Sequence, residues 1–387
     1  MPQPANKTRI AAVKVAAYRV PLTRPWVSAA HAITHHEHIL VDITLNNGLT
    51  GTGWTSTMGT AGTAVEALAT TYLAPMLVGR DVHEHEALWS LLWKRSHQPG
   101  AGGIGALAVA GFDLAMWDLR GKVAGLPVRK LIGGAADSLE VYASAVNLHL
   151  SEAALVDETR AFLDAGNRHF KIKVGRADLD DDLSRVAAVR NVIGKRPLML
   201  DANQRWRPGE ALARTSAFAR FNPVWMEEPM AADDPENHAR LAAVSPVPVA
   251  LGETLSTRHE FWRYVASGAV HYLQPNALKV GGISEWLKLA HLGACANLNI
   301  APHGALEASA IVAAAIPGCY PVENIDGGSF ADQGIVLNPL KIEDGRITLT
   351  DEPGTGVAFD RAALAPHRIE PGTEVPLVDP APFFARD

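Results

Sequence analysis

The feature that most limits what this chain can fold into is a regular beat of polar side chains. After Lys171 and Lys173 come Asp201, Glu227, Glu253, Asn276, His303 and Glu323, spaced 20 to 28 residues apart. One strand plus one crossover helix occupies about that length. Each residue also closes a short apolar run, and the runs predict strands over 140–146, 169–174, 197–201, 224–227, 247–251, 270–274, 299–302 and 320–323. Helical stretches separate them, the pattern of βαβ units and a parallel sheet. Eight such strands predict a closed α/β barrel, and the C-terminal strand ends of such barrels form the active site. Surface charges scattered at random would not keep step with the strand period.

The rest of the 387 residues exceeds what a barrel needs. Residues 10–18 and 38–45 read as strands, the second ending in Asn46-Asn47-Gly48, a strong hairpin turn. Helical patterns follow over 63–76 and 104–123, the latter stopped by Gly125 and Pro127. Residues 1–135 therefore predict an α+β module, 136–326 the barrel, and 327–387 a Gly- and Pro-rich segment that includes 345–349 and returns to the first module. Hydrophobic residues form 48% and charged residues 20%, with a net charge of −6, so there is no basic footprint for nucleic acid. Two cysteines, Cys295 and Cys319, are too few for a disulfide framework and suggest a reducing cytoplasm. The first residues lack the apolar core of a signal peptide, and no apolar run is long enough to span a bilayer.

The polar set makes chemical sense at one barrel mouth. Strand side chains alternate, so Lys171 and Lys173 share a face. Asp201, Glu227 and Glu253 supply three hard oxygen donors from successive strands, a set suited to Mg²⁺. A cation and Lys171 both disfavour the charged form of Lys173, which predicts a lysine available as a base near neutral pH. Taken singly, each acid would read as a solvated rim charge and His303 as a core histidine; Glu228 reads as a rim charge or loop anchor. Gly100 to Gly105 fit G-x-G-x-x-G, but follow a helical stretch rather than a strand and read as a helix entry. His36 and His38 lie at the start of an early strand outside the barrel and read as structural.

In order and spacing, these residues resemble the mandelate racemase subgroup of the enolase superfamily. The resemblance rests on AGFDLAMWDLRGK at 110–122, LIGG at 131–134, Lys171-Ile172-Lys173, Asp201-Ala202-Asn203, Glu227-Glu228-Pro229, Gly252-Glu253, KVGGI at 279–283 and Pro302-His303. It implies a (β/α)7β barrel under an α+β cap built from both chain ends, and Mg²⁺ on Asp201, Glu227 and Glu253. It implies Lys171 as electrostatic helper, Lys173 as base, His303 as the second acid/base on the opposite face, and Glu323 as a hydrogen-bond partner of a substrate carboxylate. Asn203 should face the same pocket, and the loops at 22–31 and 55–62 should cover it. One position departs: the family's usual Asp beside the histidine is Asn276, whose amide can accept from the imidazole N–H but cannot stabilise imidazolium as a carboxylate does.

The expected reaction is abstraction of the proton next to a carboxylate, most simply dehydration of a sugar acid to a 2-keto-3-deoxy acid. Racemisation, epimerisation and cycloisomerisation share the same first step. A catalytically decayed binding barrel and a zinc hydrolase are the readings from other classes. The expected partners are a small-molecule carboxylate and further copies of the chain in a homo-oligomer, with neither nucleic acid nor membrane.

Overall fold

Alternating apolar residues at the start of the chain build an antiparallel sheet of β1 (Ile10–Val27), β2 (Ala32–Leu45) and β3 (Thr50–Thr57), in that order. The computed structural model describes residues 7–370 and 372–375. The first six residues and residues 371 and 376–387, which the expected end modules include, lie outside the described residues. Gly48, at φ 87°, turns β2 into β3, with its N–H bonded to the Leu45 carbonyl at 2.9 Å. Strand β2 is buried on both faces. Ile39, Val41 and Ile43 pack on the cap helices, while Leu40 joins the core shared with the barrel. The same alternation puts His36 and His38 on the Leu40 face, toward the barrel.

Three helices cover the outer face of this sheet: α1 (Gly62–Leu68), α2 (His85–Ser96) and α3 (Ile104–Ala124). The helix expected over 63–76 is not uniform, because α1 widens into a π turn over Ala69–Leu73 and tightens into a 3-10 turn over Ala74–Met76, where Pro75 lacks an N–H. Helix α3 lies so close on β3 that a Cβ on Gly53 would stand 2.1 Å from the Gly111 carbonyl oxygen. It ends at Gly125, φ 65°, as its sequence predicts, and a short α4 (Val128–Leu131) follows. The Gly100–Gly105 stretch lies in the turn between α2 and α3, with no strand before it.

The barrel follows as eight parallel strands: β4 (Ser138–Ser144), β5 (Phe170–Lys173), β6 (Leu198–Asp201), β7 (Met226–Glu227), β8 (Val249–Leu251), β9 (Tyr272–Leu273), β10 (Asn299–Ile300) and β11 (Val322–Ile325). Helices α5 (Glu152–Asp164), α6 (Leu179–Ile193), α7 (Pro208–Phe218), α8 (Pro235–Ala242), α9 (Arg258–Ala266), α10 (Ile283–Cys295) and α11 (Leu306–Ala313) alternate with them, giving (β/α)7β. Closure comes from β11 pairing with β4 and from the Tyr320 N–H bonding the Ile300 carbonyl at 2.8 Å. Tyr142, Met199, Trp225, Ala250 and Ala301 form an apolar layer inside the barrel.

Two acids of the α3 segment join the parts. Asp113 accepts from the Ser284 N–H at 3.0 Å and Oγ at 2.6 Å, and contacts His85 Nε2 at 2.8 Å, fastening the cap to α10. Asp118 accepts from the Thr52 and Thr355 N–H groups, both at 2.8 Å, fastening the tail to the cap. The tail itself corrects an expectation. Its hairpin β12 (Lys341–Glu343) and β13 (Arg346–Thr348) pairs with barrel strand β4, Arg346 opposite Glu140, because β4 extends beyond its parallel neighbours and leaves backbone groups to satisfy. On either side of the hairpin the tail touches the cap, through Gln333 on His38, Thr355 on Asp118 and, last, the Ile369 N–H on the Ala17 carbonyl and Arg368 on Glu66 at 2.5 Å. Among the described residues no helix is long and apolar enough to cross a membrane.

Candidate active site

Strand register explains why the polar residues meet. Lys173 lies opposite Asp201 across β5 and β6, and Asp201 opposite Glu227 across β6 and β7, so three strand ends stand at one height. Glu253 follows β8 by way of Gly252, whose φ of 142° and close approach to the Gln274 backbone exclude a side chain. Asn276 and His303 follow β9 and β10, and Glu323 sits within β11. All of them, with Lys171 and Asn203, are buried.

The two lysines are held in ion pairs. The Lys171 ammonium lies 2.8 Å from Glu227 Oε1, 2.6 Å from Glu323 Oε1 and 3.7 Å from Asp201 Oδ2, over the face of Tyr142. Lys173 contacts Asp201 Oδ2 directly. Burial works to lower the Lys173 pKa, but the Asp201, Glu253 and Glu227 carboxylates together outweigh it and the net direction is upward. The lysine is thus not depressed by its protein surroundings, contrary to the expectation from Lys171, because three carboxylates act on it against one like charge. Burial and the Asp201 charge push Glu227 up to about 7. Glu323 goes the other way: burial would raise it, yet Lys171 and His303 hold it at about 2.

On the opposite side His303 Nε2 contacts Glu253 Oε2 at 2.5 Å and Glu323 Oε2 at 3.5 Å. Burial lowers the His303 pKa, while Glu253 and Glu323 raise it more. The amide of Asn276 is oriented by its backbone: Oδ1 accepts the Leu278 N–H at 2.9 Å, which leaves Nδ2 facing His303 Nδ1 at 3.4 Å. The amide therefore presents N–H groups to the ring instead of accepting from it, which corrects the expectation for Asn276. A donor at Nδ1 favours the tautomer with its proton on Nε2, the atom facing the chamber.

Two further readings change. Glu228 is no rim charge: it is 1% exposed, accepts from Thr254 Oγ1 at 2.8 Å and Gln204 Nε2 at 3.1 Å, and has φ 38°. Burial, then Glu253 and Asp201, push its pKa well up. His36 and His38 are not remote from the barrel; they line a cavity whose other walls include His303, Asn276 and Glu323. Asn203 turns back on Asp201, its N–H bonding Oδ1 at 2.9 Å, and both it and Gln204 adopt left-handed φ, 43° and 64°. Strain of this kind at a strand end is characteristic of functional sites. The expected covering loops are shorter than 22–31 and 55–62, because β1 and β3 run to Val27 and Thr57.

Sequence reasoning also missed partners. Trp225 Nε1 and Gln274 Nε2 both donate to Glu227 Oε2, at 2.9 and 2.8 Å. Trp225 stands two residues before Glu227 and so shares its face, a signal that strand alternation carries. Among the described residues Glu227, Glu253 and His303 each offer a ligand atom within 4.8 Å of the others; Asp201, drawn to Lys173, is not in that group.

Residues 10–133 match the model of the mandelate racemase / muconate lactonizing enzyme N-terminal domain, and residues 154–363 that of the enolase C-terminal domain-like family. The chain belongs to the mandelate racemase / muconate lactonizing enzyme family of the enolase superfamily. Within it the chain is similar to a 3,6-anhydro-alpha-L-galactonate cycloisomerase of Streptomyces coelicolor, 34% identical over 90% of this chain and 96% of that protein. It is similar to an L-talarate/galactarate dehydratase of Salmonella typhimurium, 32% identical over 92% of this chain and 90% of the other. The crystal structure of a Streptomyces coelicolor racemase with bound magnesium superposes with a TM-score of 0.89 at 33% identity, covering 93% of this chain and all of that one.

Proposed function

We propose that this member of the family is a magnesium-dependent enzyme that removes the α-proton of a sugar acid and eliminates the β-hydroxyl, giving a 2-keto-3-deoxy acid. The observation that carries the reading is the two-sided chamber: Lys173 on one side, and on the other His303, whose Nε2 faces inward between the Glu253 and Glu323 carboxylates that raise its pKa. Asp201, Glu227 and Glu253 would hold the metal. Their fit rests on the donor set, all carboxylate oxygen, and on Glu227, whose raised pKa reports carboxylates crowded without full compensation. A bound Mg²⁺ ion would take up that charge and favour the extra negative charge that an enediolate carries.

The chain's own residues divide the remaining work. Lys173 takes the α-proton from its face. Lys171, wedged between Glu227 and Glu323, places fixed positive charge where negative charge develops on the substrate carboxylate. Asn203 orients that carboxylate, while Glu323, ionised and without a proton to donate, fixes the Lys171 ammonium rather than bonding the substrate carboxylate directly. His303, whose pKa Glu253 and Glu323 raise, gives the Nε2 proton of its imidazolium form to the departing hydroxyl, which leaves as water and returns the ring to neutral. Cycloisomerisation is the second reading, favoured by the 34% identity with a cycloisomerase; it uses the same lysine step, but the C–O bond that breaks belongs to a ring of the substrate, so the oxygen that takes the His303 proton stays in the molecule and the product is an isomer.

A panel of sugar acids incubated in D₂O with Mg²⁺ tests the proposal. Keto-acid product with deuterium at C3 is expected from at least one acid, and undiminished turnover in chelator-treated protein would overturn it.

A further inference from the structure

The cap contributes a wall whose chemistry differs from that of the barrel. A cavity of about 100 Å³ runs from His303, Asn276 and Glu323 up to His36 and His38 on β2. Trp26, Trp54 and Phe330 supply its aromatic sides. Ring packing fixes the two histidines: Trp26 meets His36 edge-on with centroids 4.7 Å apart, and Phe330 meets His38 at 5.3 Å.

Hydrogen bonds set the direction of every proton along this wall. Gln333 is anchored because its Nε2 faces the Gly328 carbonyl at 3.4 Å, which only an N–H₂ group can do usefully. Its Oε1, an acceptor only, lies 2.6 Å from His38 Nε2, so that nitrogen carries the proton and Nδ1 accepts from Ser56 Oγ at 2.7 Å. Its Nε2 donates to His36 Nδ1 at 3.1 Å, so the His36 proton is on Nε2. Burial keeps both rings neutral, lowering His36 to about 3 and His38 to about 4. Among the described residues no group accepts from His36 Nε2, and the atom is not sealed from solvent. Serine, histidine, glutamine and histidine thus form a one-way relay that ends in the His36 N–H, set among the aromatic rings of a wall that also carries Thr57, Ser329 and Glu307.

Charge narrows what could occupy the space. Among the described residues Lys279 is the only lysine or arginine lining the cavity, and its charge acts on Glu253 and His31, at the end near the proposed metal ligands. The remaining wall has no cation to meet an anion, and the charged Glu323 lies at its floor. A carboxylate pushed into it would lose water without gaining a partner. A hydroxyl or ring oxygen could accept from His36, with its carbon faces against Trp26, Trp54 and Phe330.

We propose that this cavity is the subsite for the end of the substrate remote from the reacting carboxylate, that His36 is its specificity-determining donor, and that it takes an uncharged, oxygen-bearing end, so the substrate is a sugar monocarboxylate in open or ring form and not a dicarboxylate. The inference rests on the sugar-acid reading above. It is tested by titrating the Mg²⁺-loaded protein with matched six-carbon aldonates and aldarates, which differ only in a terminal CH₂OH or carboxylate, and reading quenching of tryptophan fluorescence. α-Deuterium exchange is followed in the same samples. At least one aldonate should bind on the order of 100-fold more tightly than its matched aldarate. His36→Phe, which keeps the ring and removes the donor, should weaken aldonate binding about 10-fold or more and raise KM with a smaller change in kcat. Gln333→Leu, which breaks the relay outside the cavity, should reproduce part of that loss if His36→Phe does not fold. Aldarates that bind as tightly as their partners, or aldonate binding unmoved in both variants, would overturn the proposal. Failure of the sugar-acid reading looks different: it leaves the binding preference measurable while no acid of either kind exchanges its α-proton.

Discussion

The barrel rim and the cap wall enclose one chamber with opposite electrostatics. On the rim, Lys171, Lys173, Asp201, Glu227, Glu253 and Glu323 are buried, charged and held in mutual ion pairs. On the wall, His36 and His38 are equally buried but neutral, tied by a glutamine and packed between aromatic rings. The difference teaches that burial by itself decides little. The balance of neighbouring charges decides: Glu323, between Lys171 and His303, is held at about 2, Glu227, beside Asp201 as well as Lys171, is pushed up to about 7, and the histidines turn neutral where their neighbours are amides and rings.

The largest expected effect breaks the rim. Glu227→Gln should cost on the order of a thousandfold or more in turnover while the fold persists. Because Glu227 is raised to about 7 by burial and by Asp201, its charge opposes folding when no cation is bound. The metal-free variant should therefore melt no lower than the wild type at pH 8, and the rise in Tm that Mg²⁺ gives the wild type should shrink. A variant that melts far lower without metal would mean that Glu227 is needed for packing.

Next in size, Lys173→Ala should remove α-proton exchange by roughly a thousandfold on its face, whereas Lys171→Ala should slow the reaction without changing which face exchanges. Unchanged exchange in Lys173→Ala would transfer the base to His303.

The wall should fail in acid where the rim does not. His36 and His38 have folded-state pKa values of about 3 and 4, below the ordinary histidine value, so between those values and about 6.5 the unfolded chain binds more protons than the folded one. Stability then rises with pH across that window and is lost as pH falls through it, by about 3 kcal/mol per ring at pH 4. Replacing both histidines with Gln should flatten the dependence of Tm on pH between 4 and 6.5; a slope equal to that of the wild type would show that the rings are not held neutral.

The smallest effect is expected where the two regions meet. Asn276→Asp exchanges a group that donates to His303 Nδ1 for one that accepts from it and adds negative charge, raising the histidine pKa. The upper limb of the pH–rate profile for hydroxyl elimination should move up by about one unit, and any exchange that needs a bare Nε2 should retreat to correspondingly higher pH. A profile left unmoved would detach Asn276 from the ring.

How much could be read beforehand follows from this contrast. Strand period and strand alternation are properties of sequence, so the barrel, its eight strands and the grouping of Lys173 with Asp201 and Glu227 could be read from spacing. The His36 and His38 environment could not, because Gln333 and Phe330 reach it from almost 300 residues away and obey no period. For Glu228 the loop-anchor alternative fits, since it accepts from Gln204 and Thr254, but its burial is not legible: a left-handed φ swings it inward, and no propensity rule anticipates that conformation in a glutamate. The orientation of the Asn276 amide was settled by one backbone N–H, that of Leu278, which a residue list does not reveal.

The order of these parts along the chain has a consequence for biosynthesis. On a translating ribosome the sheet that carries His36 and His38 emerges first and the barrel strands follow, but Phe330 and Gln333 lie beyond β11. A nascent chain halted after its last barrel strand would hold every lysine and carboxylate of the rim and still lack the relay that aims His36. The reacting groups are thus in place before the wall that would restrict what reaches them, and selectivity is the last property the newborn molecule acquires.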